Sequence, residues 1–191
     1  MYRGPRTLCL AMRALIASLF LTILGASSFA LVVNGDFETD LYADGTAPSI
    51  TSLTGWTILG TGDVHGVGTG YLGSDSDQVD VSGYADTAGS GIVQTLATVN
   101  GQAYTLTFEL FVPITGSIKV QLNGSDLDTG IGGGLHSYNF LGTGSDTLSF
   151  INEGTGITTH LDDVAVEAVP EPATLAILGL GLAAARRRRA K

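Results

Sequence analysis

Between residues 91 and 150 the apolar side chains recur at every second position, in runs too short for helices. Tyr104, Leu106, Phe108 and Leu110 fall on one side of a chain whose other side carries Thr105, Thr107 and Glu109. Ile118, Val120 and Leu122 alternate in the same way with Lys119, Gln121 and Asn123. A period of two is the signature of a strand with one face on a core. Glycine, 27 of 191 residues, punctuates the runs without a strict period of its own. Leu31 to Glu38 and Gly55 to Leu59 read as early strands. Gly91 to Val99 and Gln102 to Val112 flank Asn100-Gly101, a strong hairpin signal, and Pro113 ends the second arm. Tyr138 with Phe140, Leu148 with Phe150, and Val164 with Val166 mark three more. About eight strands and no sustained helical period predict an all-β domain, a single jelly-roll-like β-sandwich. The Gly- and Asp-rich stretch from Gly60 to Gly91 reads as loops, the usual place for function.

The two ends obey different physics. Arg3, Arg6 and Arg13 precede an apolar run from Ala14 to Ala26, and Ser28-Phe29-Ala30 offers small residues to a signal peptidase. Residues 1–30 therefore read as a secretory signal helix, and 31–169 as the mature domain. Residues 170–191 form a tail: Pro170-Glu171-Pro172, an uncharged segment from Ala173 to Ala185, then Arg186, Arg187, Arg188, Arg189, Ala190 and Lys191. The prolines block a helix from extending N-terminally. The apolar segment predicts a short hydrophobic helix, which at about 1.5 Å per residue reaches roughly 20 Å against a bilayer core of roughly 30 Å. Snorkelling arginines and local thinning still permit insertion. The basic cluster would stay cytoplasmic, with the domain facing the periplasm.

With the ends set aside, residues 31–169 retain one basic side chain, Lys119, against seventeen carboxylates, a formal charge of −16. Such a field disfavours nucleic acid and anionic membrane as partners and suits divalent cations or neutral ligands such as sugars. A soluble acidic surface with no ligand accounts for the same charge. The sole cysteine, Cys9, lies in the signal, so the mature domain has no disulfide and no thiol chemistry.

The tail, with its Pro-Glu-Pro collar, apolar segment and arginine cluster, resembles the PEP-CTERM signal of Gram-negative bacteria. That resemblance implies an exosortase-type processing protease acting near Pro170-Glu171-Pro172, a transient stay at the inner membrane, and a final place at the cell surface or outside it. The domain carries a second resemblance. Asn34-Gly35-Asp36-Phe37-Glu38 opens it, Gly55-Trp56 follows, Gln94-Thr95-Leu96 leads into Val99 to Phe108, and Leu161-Asp162-Asp163-Val164-Ala165-Val166 closes it. This order resembles the DUF642 and choice-of-anchor proteins, which look related to galactose-binding-like carbohydrate-binding modules. The resemblance implies a jelly roll with a structural Ca2+ ion near the first and last strands, here on Glu38 and on Asp162 or Asp163, whose oxygens suit that cation. The same carboxylates solvated at strand ends are the alternative.

Trp56 could stack on a sugar, but a tryptophan in an alternating strand reads as core. Tyr71 and Tyr84, in glycine-rich territory, are the candidates for a ligand platform, and closing a loop over the core is the other role open to them. Asp75, Asp77 and Asp80 begin like a calcium loop, but Val79 holds the next ligand position and no Glu completes an EF-hand, so a solvated loop is the reading. Gly142 to Leu148 matches part of a calcium-binding nonapeptide that works only in tandem copies, so a turn before a strand is expected. His65, His136 and His160 show no zinc spacing, and no serine sits in a nucleophile elbow. No catalytic constellation emerges. The expected function is an exported, non-catalytic, carbohydrate-binding-like module of the envelope or extracellular matrix. The alternatives are an adhesive matrix protein without glycan affinity, or a polysaccharide hydrolase using paired carboxylates.

Overall fold

The structure is a computed structural model and describes residues 31–60, 64–81, 88–111, 117–154 and 158–170. The signal segment, the tail beyond Pro170, and Tyr84 lie outside the described residues. Ten strands lie among them: β1 (Thr57–Leu59), β2 (His65–Val67), β3 (Gln78–Asp80), β4 (Gly91–Leu96), β5 (Ala103–Phe111), β6 (Ile118–Leu122), β7 (Ser125–Ile131), β8 (Gly134–Leu141), β9 (Asp146–Asn152) and β10 (His160–Ala168). They form two antiparallel sheets, ordered β1-β4-β9-β6-β7 and β2-β3-β10-β5-β8. Only β2–β3 and β6–β7 are neighbours both in sequence and in a sheet. Every other connection carries the chain across the sandwich, as a jelly-roll-like topology requires.

The period-two pattern decides which residues meet between the sheets. Tyr104, Leu106, Phe108 and Leu110 of β5 all point inward and are buried. Phe108 meets Phe150 of β9 edge-on, with ring centroids 5.0 Å apart. Phe150 continues to Trp56 at 6.1 Å, and Trp56 to Phe37 at 5.9 Å. This aromatic row joins both sheets, and each such side chain adds about 2–3 kcal/mol by burial. Trp56 is core, as its strand position predicts, and its indole N–H donates to the Asn34 carbonyl at 3.0 Å.

Two expectations fail for identifiable reasons. Leu31 to Glu38 is a hook rather than a strand: Asn34 and Phe37 both adopt left-handed backbone, at φ 52° and 55°. The hook drives Phe37 fully into the core and leaves Glu38 exposed. The Gln94 side chain takes the place of a neighbouring strand, accepting from Val33 N at 2.8 Å and donating to Val33 O at 2.9 Å. Asn100-Gly101 also fails as a hairpin, because β4 and β5 belong to different sheets. The turn is real, with Gln102 N donating to Val99 O at 3.1 Å, but only Gly101 has positive φ, at 80°. A type I′ hairpin turn needs two such residues; one fits a type II turn, which splays its flanking strands.

Three strands were not expected. β2 and β3, inside the supposed loop region, are three residues long and buried on both faces, so neither alternates. β7 is polar and almost wholly exposed at a sheet edge. Among the described residues the only helical segment is a 3-10 turn at Tyr71–Gly73, and no helix is long and apolar enough to cross a membrane.

Candidate functional site

The opening and closing motifs of the domain meet. Val164 N donates to Gly35 O at 2.8 Å, and a Cβ on Gly35 would stand 1.9 Å from the Val164 carbonyl oxygen. Only glycine permits that approach. Next to this seam, β10 loses register between Asp162 and Ala165, and Asp163 takes a φ of 49°. A regular strand sends successive side chains to opposite faces. Here the irregularity lets Asp162 and Asp163 line the same cleft.

That cleft, about 380 Å³, sits on the outer face of the second sheet. The hook supplies Asp36 and Glu38, the 3-10 turn and the loop after it supply Gly73, Asp75 and Ser76, and β3 supplies Gln78. β5 adds Glu109 and Phe111, and β10 adds Asp162 and Asp163. The placement follows from register: Asp162 pairs with Glu109 and His160 with Phe111, while Leu161 and Leu110 point to the core. Six carboxylates and no basic side chain line the walls.

Protein donors already engage two of these carboxylates, Asp162 and Glu38. Asp162 Oδ2 accepts from Ser76 Oγ and from Gln78 Nε2, the latter at 3.4 Å, and Oδ1 accepts from Asp163 N at 2.7 Å. Burial outweighs these bonds and pushes the Asp162 carboxyl up to about 6. Glu38 Oε1 accepts from Asp77 N at 3.0 Å. Asp77 in turn ties hook to loop, accepting from Tyr42 N and Thr69 N, both at 3.1 Å. Beneath the loop, His160 is wholly buried 6.3 Å from the Tyr71 ring, and burial lowers its basicity against an opposing pull from Asp80.

The structure therefore brings together Glu38, Asp162 and Asp163, the residues to which calcium was assigned by resemblance. Their oxygens are of the right chemistry, yet among the described residues no three His, Cys, Asp or Glu side chains converge so as to hold a metal ion. Tyr71 is half-buried over His160 and does not line the cleft. Asp77 and Asp80 correct the solvated-loop reading: they are 4% and 2% exposed, and Asp80 Oδ1 accepts from Thr159 N at 3.1 Å. Asp75 alone of that trio is exposed. Asp36, Ser76, Gln78, Glu109 and Phe111 were not foreseen. The outward parity of Glu109 was on view in the β5 pattern, but nothing in the sequence placed the hook and the 69–77 loop beside it.

The calcium-like segment 142–148 is a turn, as expected. Asp146 spends its carboxylate inside it, accepting from Thr98 Oγ1, Asn123 Nδ2 (2.6 Å), Thr143 N (2.9 Å) and Thr143 Oγ1 (2.7 Å).

Several solved structures and one family motif are similar to parts of this chain. The domain is similar in structure to the enzymatically active domain of bacteriophage CBA120 tailspike protein 4, with 16% identity, a TM-score of 0.48 and 73% of this chain covered. This chain spans only 21% of that one. It is similar also to a CBM35 from Paenibacillus barcinonensis, with 20% identity, a TM-score of 0.46, and 65% of this chain and 100% of that one covered. A family 35 carbohydrate binding module from Clostridium thermocellum gives 14% identity, a TM-score of 0.40 and coverages of 65% and 98%. At such identities and TM-scores these likenesses carry no argument. No curated protein matches the chain. Residues 168–189 match the PEP-CTERM protein-sorting motif. The chain thus carries the sorting tail of exported proteins that are handled at the membrane and then held at, or released from, the cell surface.

Proposed function

We propose that the β-sandwich is a non-catalytic carbohydrate-binding module, delivered to the envelope or matrix once an exosortase-type protease has cut near Pro170-Glu171-Pro172. The observation that carries this reading is the composition of the cleft. Phe111 offers a half-buried aromatic face, and Gln78, Glu109, Asp75 and Asp163 surround it with amide and carboxylate groups. An aromatic surface ringed by acceptors suits a polyol, whose C–H faces stack while its hydroxyls donate. A cleft without a basic side chain is unsuited to anionic ligands.

Calcium is a second, separable proposal. Glu38, Asp162 and Asp163, with Asp36 and Asp75 nearby, would hold the ion in exchange for the present bonds from Ser76 and Asp77. The ion would supply charge compensation to six clustered carboxylates and brace the meeting of the first and last motifs.

The full chain, expressed with both terminal segments and recovered after export, provides the test. Its mass should place the C-terminus before the arginine cluster; an intact Arg186–Arg189 end would remove processing from this reading. The same material should retain on neutral polysaccharides in pull-down, and Phe111→Ala with Glu109→Gln should reduce retention about tenfold or more. A folded protein that retains on no glycan, with calcium present, would overturn the binding role and leave the adhesive alternative.

A further inference from the structure

Among the described residues, three of the four sheet edges are closed to strand addition. β1 is only three residues long. β2 is covered by the 46–50 segment, through Ile50 N to Val64 O at 2.9 Å, Gly66 N to Pro48 O at 3.1 Å and Gly68 N to Thr46 O at 2.9 Å. β7 carries Asp126 and Asp128 and slips register twice against β6. Shortness, cover, charge and irregularity are how natural sheets block edge pairing. β8 has none of these. Its eight residues, Gly-Leu-His-Ser-Tyr-Asn-Phe-Leu, include no Asp, Glu, Lys, Arg or Pro. It pairs with β5 in unbroken register from Leu141↔Ala103 to Gly134↔Leu110, and β5 is its one sheet neighbour. Leu135 and Leu141 are 75% and 65% exposed.

We propose that β8 is a docking edge for a second copy of this chain, the two β8 strands pairing antiparallel about a two-fold axis through Tyr138. The strand's own pattern selects that occupant. With Tyr138 opposite Tyr138 of the copy, Leu135 meets Leu141 and Ser137 meets Asn139 on the exposed face, while His136 meets Phe140 on the other. On the exposed face apolar meets apolar and polar meets polar. A shift of two residues in either direction sets one leucine against a polar side chain and carries the other past the end of the strand. A two-fold contact must be self-complementary in this way. Charge is compatible with the same edge: a domain of −16 repels its copy wherever carboxylates align, and β8 is the long edge with none among its own residues, the carboxylate of Asp128 beside it being held by the Tyr138 hydroxyl at 2.9 Å. The two sheets would then continue as one ten-stranded sheet, independent of whether the cleft binds sugar.

Cysteine substitution in the full chain tests the register directly, because Cys9 of the signal region is the sole native cysteine. The doubly substituted variants L135C/L141C and S137C/N139C, recovered after export without reductant, should run as disulfide-linked dimers. L135C or L141C alone should not. Separately, S137E/N139E sets four carboxylates across the two-fold axis and should raise the dissociation constant about tenfold or more in sedimentation. Its thermal midpoint should stay near that of the parent, since both positions are exposed. A parent chain that remains monomeric at every concentration overturns the pairing. So does cross-linking of the single variants as strong as that of the double ones, which would point to a different extended segment on this edge.

Discussion

Asp146 shows how a carboxylate can serve as structure. Its side chain is buried, and that burial raises its pKa, but donors from Thr98, Asn123 and Thr143 more than offset the effect and hold it down at about 2. An unfolded aspartate titrates near 3.9. The folded state therefore binds its proton less readily than the unfolded one, and the stabilisation is complete above about pH 4. It is lost as pH falls towards 2. Asp146→Asn should cost about 2–3 kcal/mol at neutral pH, because an amide presents donors where donors already point. It should also flatten the decline in stability between pH 4 and 2. Denaturant titrations of both proteins across that range check it, and parallel pH profiles would remove Asp146 as the cause. In the sequence this residue stands out only as a member of the calcium-like segment 142–148. Its three partners come from positions 98, 123 and 143, whose convergence is a property of the fold.

Strand identity was legible wherever one face is buried and the other wet. β5 and β6 announce themselves by alternation, and the structure keeps those faces. β2 and β3 do not, because both parities are buried: the Tyr42 ring lies against Gly66 of β2, and Gln78 and Asp80 of β3 are engaged by His160, Asp162 and Thr159. The hook was misread for the opposite reason: Leu31 to Phe37 has strand-like composition, but Asn34 and Phe37 accept left-handed backbone that no propensity scale reveals. What fixes the hook is its docking on β10. Gly35→Ala should test that contact, since its new Cβ would enter the Val164 carbonyl and cannot be relieved by a rotamer change. A loss of about 3 kcal/mol is expected. Trp56, two contacts away through Phe37, supplies the fluorescence readout. A variant as stable as the parent would mean that the first and last motifs do not hold each other.

At the scale of the whole domain, self-repulsion is the largest feature visible in the sequence, and calcium is the inference most exposed to it. Seventeen carboxylates face one lysine, and any added salt should stabilise the fold by screening. A rise in thermal midpoint on adding calcium chloride is therefore ambiguous by itself. The distinguishing comparison holds ionic strength constant with sodium chloride and exchanges calcium in. Screening alone predicts no further change. A site in the cleft predicts an additional rise of roughly 5 °C or more at a hundredfold excess over its dissociation constant, reversed by chelator. Asp163→Asn should abolish that rise while leaving the sodium chloride response nearly intact, because it removes a ligand of the cleft while sixteen carboxylates remain to be screened. Magnesium, which demands a tighter octahedral shell, should substitute poorly. Equal responses to calcium, magnesium and matched sodium chloride would show that the cleft's carboxylates serve as hydrogen-bond acceptors for Ser76, Asp77 and Gln78. The seam between the first and last motifs would then rest on backbone contacts such as Val164 N to Gly35 O, with no cation needed to close it.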